Sequence, residues 1–386
     1  MKSNFLYLII FIGVILGFSA CSDNIELPDP EPEGNVAIIY WMGDNNLSLW
    51  AEDDIEELVN GKDNIPANNK IIIYVDKPTS KPVIYQLDAQ NGLQVWKEFK
   101  EEQDCTDSLT LLNNLRIIIQ NFPAKKYGLT FAAHGTGMAS RQRKALGPDH
   151  SHNSNWLNVP TLRGVLEQLP KTSYIFFDVC FMQSIEVAYE LRGVTDWIIG
   201  SPAEIPNPGA PYHIIAKDLC LGNIPGIVSG YDGYYPVTYK EQHYDGTLLS
   251  AVDCSQLENL AKSTRQYIRN TFDNCQTIEN STAQGIQRYS SQYSSYTYCY
   301  DMNSAMHKIL SEDDYSIWAE TFKEAVPIRE YNIGKWTGTL CYNCTIYDPE
   351  HYGGISMYIP QNGGSRNADL HQYQWYKDAD WSETGW

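Results

Sequence analysis

The chain has 386 residues, 47 of them acidic and 28 basic, for a formal charge of −19. A field this negative disfavours nucleic acid and anionic lipid surfaces and concentrates cationic partners. With 43% hydrophobic residues, the chain can build one large α/β domain with an appended region, or two domains.

Residues 1–20 read as an export signal. Lys2 supplies the positive end, and Phe5 to Phe18 is an apolar run of 14 residues, short of the roughly 20 needed to span a bilayer. Ser19-Ala20-Cys21 resembles a bacterial lipobox, which implies cleavage before Cys21 and a diacylglyceryl thioether on its sulfur. Ordinary secretory cleavage, with Cys21 incidental, is the alternative. The lipobox reading places the protein outside the cytoplasm, anchored to the bacterial envelope at the outer membrane or cell surface. Residues 21–34 follow as a tether with five carboxylates, three prolines and no basic residue, a composition that stays extended and solvated.

A catalytic core is expected over 35–245 and a C-terminal region over 246–386. Val36–Met42 reads as a first strand, and Gly43-Asp44-Asn45-Asn46 turns into a helical pattern over Leu47–Leu58, with Asp and Asn placed to cap it. Lys70–Val75 reads as a second strand, and Lys81–Leu87 with Leu93–Phe99 as an antiparallel hairpin. Asp107–Phe122 has helical periodicity. Then come a strand over 127–133, a helix from about Pro160 to Leu169, a strand over Tyr174–Phe177, a helix over Ser184–Leu191 and a strand over Trp197–Gly200. This alternation predicts an α/β fold with a mostly parallel sheet covered by helices on both faces. Gly135 to Val159 shows little apolar periodicity over 25 residues, longer than an ordinary loop. From Gly246 to Glu330 the pattern turns helical and Tyr- and Ser-rich, and Gly353–Pro360 returns as a strand expected to join the main sheet.

Two residues carry the chemistry. The strand over 127–133 empties into His134-Gly135-Thr136-Gly137, and the strand over 174–177 into Asp178-Val179-Cys180. In open parallel sheets, ligands gather beyond the carboxyl ends of the strands. A His and a Cys delivered to that edge are the base and nucleophile of covalent acyl transfer. A helix starting just beyond Cys180 is expected to lower its thiol pKa. Because strand side chains alternate, Asp178 projects to the same side as Cys180 and can pair with a substrate Arg or Lys. Glu204 is a second candidate carboxylate. Of the other cysteines, Cys341-Tyr-Asn-Cys344 has zinc or redox spacing without a matching second pair. Buried thiols or one or two disulfides are expected, and no metal site.

His134 precedes Cys180 by 46 residues, near the roughly 50-residue separation in caspases, but the caspase Gln-Ala-Cys signature is absent. The segments Tyr40-Trp-Met-Gly-Asp-Asn-Asn-Leu47, His134-Gly-Thr-Gly137, Asp178–Leu191 and Gly353-Gly-Ile-Ser-Met-Tyr-Ile-Pro360 resemble the clostripain family of cysteine peptidases, in that family's order. Met138 stands where the family usually has Trp, and Val179 where it has a small residue. The resemblance implies a caspase-like sandwich and an endopeptidase cleaving after Arg or Lys in protein or peptide substrates. It implies an oxyanion hole from the backbone N–H groups of Gly135 and Cys180, and processing at a basic residue into two associated chains. Arg141, Arg143 and Lys144, in the long loop after His134, have the side chains for such a cut. No cofactor is expected; the resemblance raises calcium dependence, although no acidic loop has EF-hand spacing. The alternatives are a related cysteine amidase or transpeptidase, and a catalytically silent surface lipoprotein that binds protein or glycan.

Overall fold

The structure, a computed structural model, describes residues 32–78, 80–138, 145–246, 248–270, 285–289, 299–331, 335–336, 344–359 and 367–384. Inside its main sheet runs strand β1 (Val36–Met42), every residue of which is buried. A strand covered on both faces must be apolar on both, and Val-Ala-Ile-Ile-Tyr-Trp-Met meets that requirement. Beside it lie β2 (Lys70–Lys77) and β5 (Tyr127–Ala132), then β8 (Tyr174–Asp178) and β9 (Trp197–Gly200), all parallel. The antiparallel hairpin of β3 (Ser80–Asp88) and β4 (Gly92–Glu98) extends one edge. At the other edge, beyond a small hairpin of β10 (Val237–Tyr239) and β11 (Gln242–Tyr244) in the chain, β12 (Leu248–Asp253) and β14 (Ile328–Tyr331) pair antiparallel, completing a nine-stranded sheet among the described residues.

Side-chain alternation splits the core in two. Val36, Ile38, Tyr40 and Met42 pack beneath α2 (Ser108–Asn121), α3 (Val159–Leu166), α4 (Ile185–Leu191) and α7 (Leu257–Asn270). Ala37, Ile39 and Trp41 pack beneath α1 (Trp50–Asn60), α5 (Tyr212–Leu221) and α6 (Ile224–Tyr234). The expected sheet, covered by helices on both faces, is the one found. Asp107 and Ser184 cap α2 and α4 through their side chains.

Three expectations are corrected. The run 353–360 does not join the main sheet: Ser356–Tyr358 pairs with β13 (Cys299–Asp301) in a separate two-stranded sheet. Past β9 the sheet is extended instead by β12, whose Leu-Leu-Ser-Ala-Val pattern lies in a region read as helical, with β14 at the edge. The stretch after Gly135 is not structureless, because β6 (Leu146–Asp149) and β7 (Asn155–Leu157) form a hairpin in it. Finally, Asp44, Asn45 and Asn46 do not cap α1, whose N-cap is Leu49 with no side-chain bond. The helix starts three residues late, and the side chains of Asn45 and Asn46, left in the turn, take other partners.

Candidate active site

Strand register sets the site. Ala132 of β5 pairs with Asp178 of β8, so His134 and Cys180, each two residues further on, leave the sheet at the same height. Trp41 of β1 pairs with Ala132 on the other side, which brings the turn after β1 to the same edge. The three exits open into a cleft of about 500 Å³, whose lining includes Trp41, Asp54, His134, Asp178, Cys180 and Glu204.

Gly135 is required by close approach. A Cβ there would lie 2.2 Å from Val179 Cγ1 and 2.6 Å from the Cys180 carbonyl oxygen, so only glycine lets the His134 turn rest against the Cys180 turn. Phe181, directly after Cys180, has φ +61, a left-handed conformation uncommon for a bulky residue and a mark of a constrained turn.

The imidazole and the thiol have separate partners. His134 Nε2 lies 2.7 Å from Asn46 Oδ1. An amide oxygen only accepts, so Nε2 carries the proton and Nδ1 keeps its lone pair. Burial, with His150 nearby, lowers the His134 pKa, which favours the neutral ring that can accept a proton. Cys180 Sγ accepts the Ile205 N–H at 3.3 Å. Burial, outweighing that bond and reinforced by Glu204 and Asp178, pushes the thiol up to about 12. The expected acidic thiol is therefore not found. The helix α4 begins only at Ile185, and a macrodipole fades within a turn of the helix end.

Asp178 lines the same cleft as the thiol and is 8% exposed. Its Oδ2 accepts the Ala210 N–H at 3.1 Å and the Tyr212 hydroxyl at 3.2 Å, while Oδ1 has no hydrogen-bond partner. Burial raises its pKa to about 6 against the pull of those two bonds. Asp54, on α1, adds a second buried carboxyl, which accepts the Trp41 indole N–H at 2.7 Å; burial and then Asp178 hold its pKa well up. Glu204, also buried, lines the same cleft and immediately precedes Ile205, whose N–H the thiol accepts.

The sequence profile of the clostripain family matches residues 39–386. The chain belongs to the clostripain family. That family is one of cysteine peptidases, which are hydrolases. Clostripain of Hathewaya histolytica is 25% identical over 223 residues; the match takes in 48% of this chain and 42% of that protein, so the chain spans less than half its length. A secreted C11 cysteine protease of Bacteroides thetaiotaomicron, solved with an irreversible peptide inhibitor, is 27% identical with a TM-score of 0.79, over 91% of this chain and 99% of that one. A clostripain of the same organism, solved with the peptide inhibitor BTN-VLTK-AOMK, is 26% identical with a TM-score of 0.51, over 59% of this chain and 96% of that one.

In this clostripain-family chain, His134, Gly135, Asp178, Cys180 and Glu204, all singled out from sequence, meet at one edge. Cys21, Arg141, Arg143 and Lys144 lie outside the described residues. Cys105, Cys220 and Cys254 are buried free thiols, as the irregular spacing allowed. Asp54 in the cleft and Asn46 on the His134 ring are not evident from the sequence. Asn46 was assigned to capping, although its position after a strand adjacent to β5 signals the shared edge. Asp54 is the one acid on the buried Ala51-Asp54-Leu58 stripe of α1, and an acid at an apolar helical position is the signal that finds it.

Proposed function

We propose that the chain is an extracytoplasmic cysteine endopeptidase that cleaves after Arg or Lys, with Cys180 as nucleophile and His134 as base. The carrying observation is that the thiol, the imidazole and a buried carboxylate with one unpartnered oxygen line the same cleft. A cationic side chain entering it meets Asp178 Oδ1, and a charge-assisted bond there offsets the cost of burying the carboxylate. Glu204 is the secondary contact. The peptide VLTK of the inhibitor held by the thetaiotaomicron clostripain ends in lysine, which supports a basic residue before the cleaved bond.

The proton inventory follows from the tautomer. Nδ1 of His134 takes the Cys180 thiol proton as sulfur attacks the scissile carbonyl carbon. The carbonyl electron pair moves to oxygen, facing the N–H groups of Gly135 and Cys180. His134 returns its proton to the amine as the C–N bond breaks, leaving a thioester. It then deprotonates the water that hydrolyses the thioester, and Cys180 leaves as the thiol. A thiol held near 12 is activated only when substrate seats; a bound cation beside Asp178 removes one of the two negative charges that raise it. Anchoring through a lipid on Cys21, and self-cleavage at Arg141, Arg143 or Lys144 leaving His134 and Cys180 on separate chains, complete the proposal. The secreted thetaiotaomicron relative supports the extracytoplasmic placement.

Profiling a peptide library with wild type, Cys180→Ala and Asp178→Asn tests this. Cleavage after Arg and Lys is expected in wild type and none in Cys180→Ala. Asp178→Asn should lose roughly ten- to a hundredfold on basic substrates, the worth of a hydrogen bond to a charged group. An unchanged preference in Asp178→Asn would assign specificity elsewhere, Glu204 first.

A further inference from the structure

At the far edge of the sheet lies a cation without an acid. Arg329, on β14, is half-buried, with its guanidinium carbon 5.6 Å from the centre of the Phe322 ring. Among the described residues it joins no ion pair and donates no hydrogen bond, although the chain carries 47 acids and a guanidinium has five donors to place. Arg329 borders a cavity of about 290 Å³ walled by Phe322 and Ala319 of the helix Glu312–Ala325 and by Pro349 and Tyr352. Asn303, also on the lining, has its amide committed: Oδ1 accepts the Tyr315 hydroxyl at 3.1 Å and Nδ2 donates to the His351 carbonyl at 3.2 Å. Lys323, exposed and paired with Glu320 at 2.6 Å, adds a second cation to the lining. Glu350 is the acid there, and it forms no ion pair with Arg329 among the described residues.

The cavity lies close to the proposed nucleophile. Arg329 pairs with Ser250 across β14 and β12, and Ser250 pairs with Gly200, the last residue of β9, so Arg329 sits at the end of the sheet where the cleft opens. Tyr352 packs with Ala203, and the Ala203 carbonyl accepts the N–H of Phe181, directly after Cys180, at 2.9 Å. In the sheet order β14, β12, β9, β8, three strand spacings separate Arg329 from the strand that leads to Cys180, roughly 14 Å.

We propose that this cavity is an exosite that takes an acidic side chain of a protein substrate, Asp or Glu beside an apolar residue, while the cleaved bond lies at Cys180. The proposal rests on the peptidase reading above. A guanidinium matches a carboxylate with two parallel hydrogen bonds, and Lys323 adds a point charge. The walls of Phe322, Ala319, Pro349 and Tyr352 suit the apolar neighbour, which a free inorganic anion lacks. The net negative charge of the chain does not oppose this at contact, because salt screens distant charges beyond roughly 8 Å and the local cations decide. A strand rises about 3.3 Å per residue, so the acid lies four to five residues from the basic residue at the cleft, by about that rise. Substrates are thereby selected by two charges of opposite sign at a set separation.

The first arm of the test measures binding to the full-length Cys180→Ala protein by fluorescence anisotropy. The probe is a labelled Gly-Phe-Glu-Glu-Gly peptide, which has no basic residue for the cleft, and its control is Gly-Phe-Gln-Gln-Gly. The acidic peptide should bind about tenfold more tightly, the low end for a bond to a charged group that solvent reaches. Arg329→Gln should remove that difference, Arg329→Lys should restore part of it, and Glu350→Gln, at the surface, should tighten binding by removing a repelling charge. The second arm uses active enzyme and arginyl substrates with two glutamates placed four or five residues from the arginine, on one side or the other. One placement should lower KM about tenfold with kcat unchanged, an advantage that Arg329→Gln abolishes while cleavage of a short arginyl amide stays as in wild type. Equal binding of the acidic and neutral peptides, binding indifferent to Arg329→Gln, displacement by inorganic phosphate at the peptide's own concentration, or a bound peptide with no KM advantage in either placement would overturn the exosite. Binding is read without turnover, so failure of the peptidase reading shows separately, as no cleavage with peptide binding intact.

Discussion

Asn46 is the residue on which the proposed chemistry turns most sharply, because it decides which imidazole nitrogen holds the proton. In Asn46→Ala the Nε2 proton loses its acceptor, so the ring rotates and the Nδ1–H tautomer, useless as a base toward Cys180, gains population. A neutral hydrogen bond contributes about 0.5–1.5 kcal/mol, so kcat should fall roughly three- to tenfold, while KM for an arginyl peptide holds because Asp178 is untouched. Asn46→Asp keeps the acceptor and adds a negative charge, which favours the imidazolium; its low-pH limb of kcat should move upward. Equal losses of kcat in both variants, with no shift of that limb, would make Asn46 a structural residue only. Legibility at this scale divides by sequence neighbourhood. His134, Asp178 and Cys180 were readable because each follows an apolar run ending at the same sheet edge. Asn46 and Asp54 were not, because their roles come from β1 lying beside β5 and from α1 packing over that face, neither of which a single sequence displays.

At the scale of elements, the periodic runs placed most strands and helices within a few residues, while β12 lay in a region read as helical, the β6–β7 hairpin in a stretch read as a loop, and one strand found a partner other than the main sheet. Ser356–Tyr358 has the composition of a sheet strand but joins β13, and nothing local to either segment announces the partner. Close pairing is also where the fold is brittle. Gly128 of β5 lies opposite Tyr174 of β8, and a Cβ at 128 would fall 2.2 Å from the Tyr174 ring. That ring cannot swing away, since it is fully buried and its hydroxyl donates to the Leu219 carbonyl at 2.9 Å. Gly128→Ala should therefore cost about 1–3 kcal/mol as an overpacked core, read by urea denaturation, and should disturb the β5–β8 register that sets His134 against Cys180. Gly164, inside α3, has nothing within 4 Å of its Cβ position. Gly164→Ala should stabilise by about 0.4–1 kcal/mol through lost unfolded-state entropy. Similar effects from the two substitutions would refute the packing argument.

For the molecule as a whole, charge couples activity to stability in opposite directions. The cleft holds buried acids in a chain of net charge −19, and Asp178 has its carboxyl at about 6. Pairing with a basic side chain needs the ionised form, so kcat/KM on an arginyl substrate should rise about tenfold per pH unit up to pH 6 and then level. Stability runs the other way. The folded-state value lies above the unfolded value near 4, so the native state binds this proton more tightly; that contribution is present below pH 4 and is lost as pH rises through 6. Asp178→Asn should therefore raise the thermal midpoint at pH 7.5, leave it nearly unchanged at pH 4, and flatten the pH limb near 6 for arginyl substrates. A citrullyl substrate, isosteric but neutral, should lack that limb even with wild type. Burial causes most of the upward shift and Glu57 adds to it, and salt screens such a charge interaction where solvent reaches it. Raising ionic strength should thus move the limb to lower pH. A limb that stays near 6 in Asp178→Asn, or that the citrullyl substrate shares, would assign it to a group other than Asp178, His134 first.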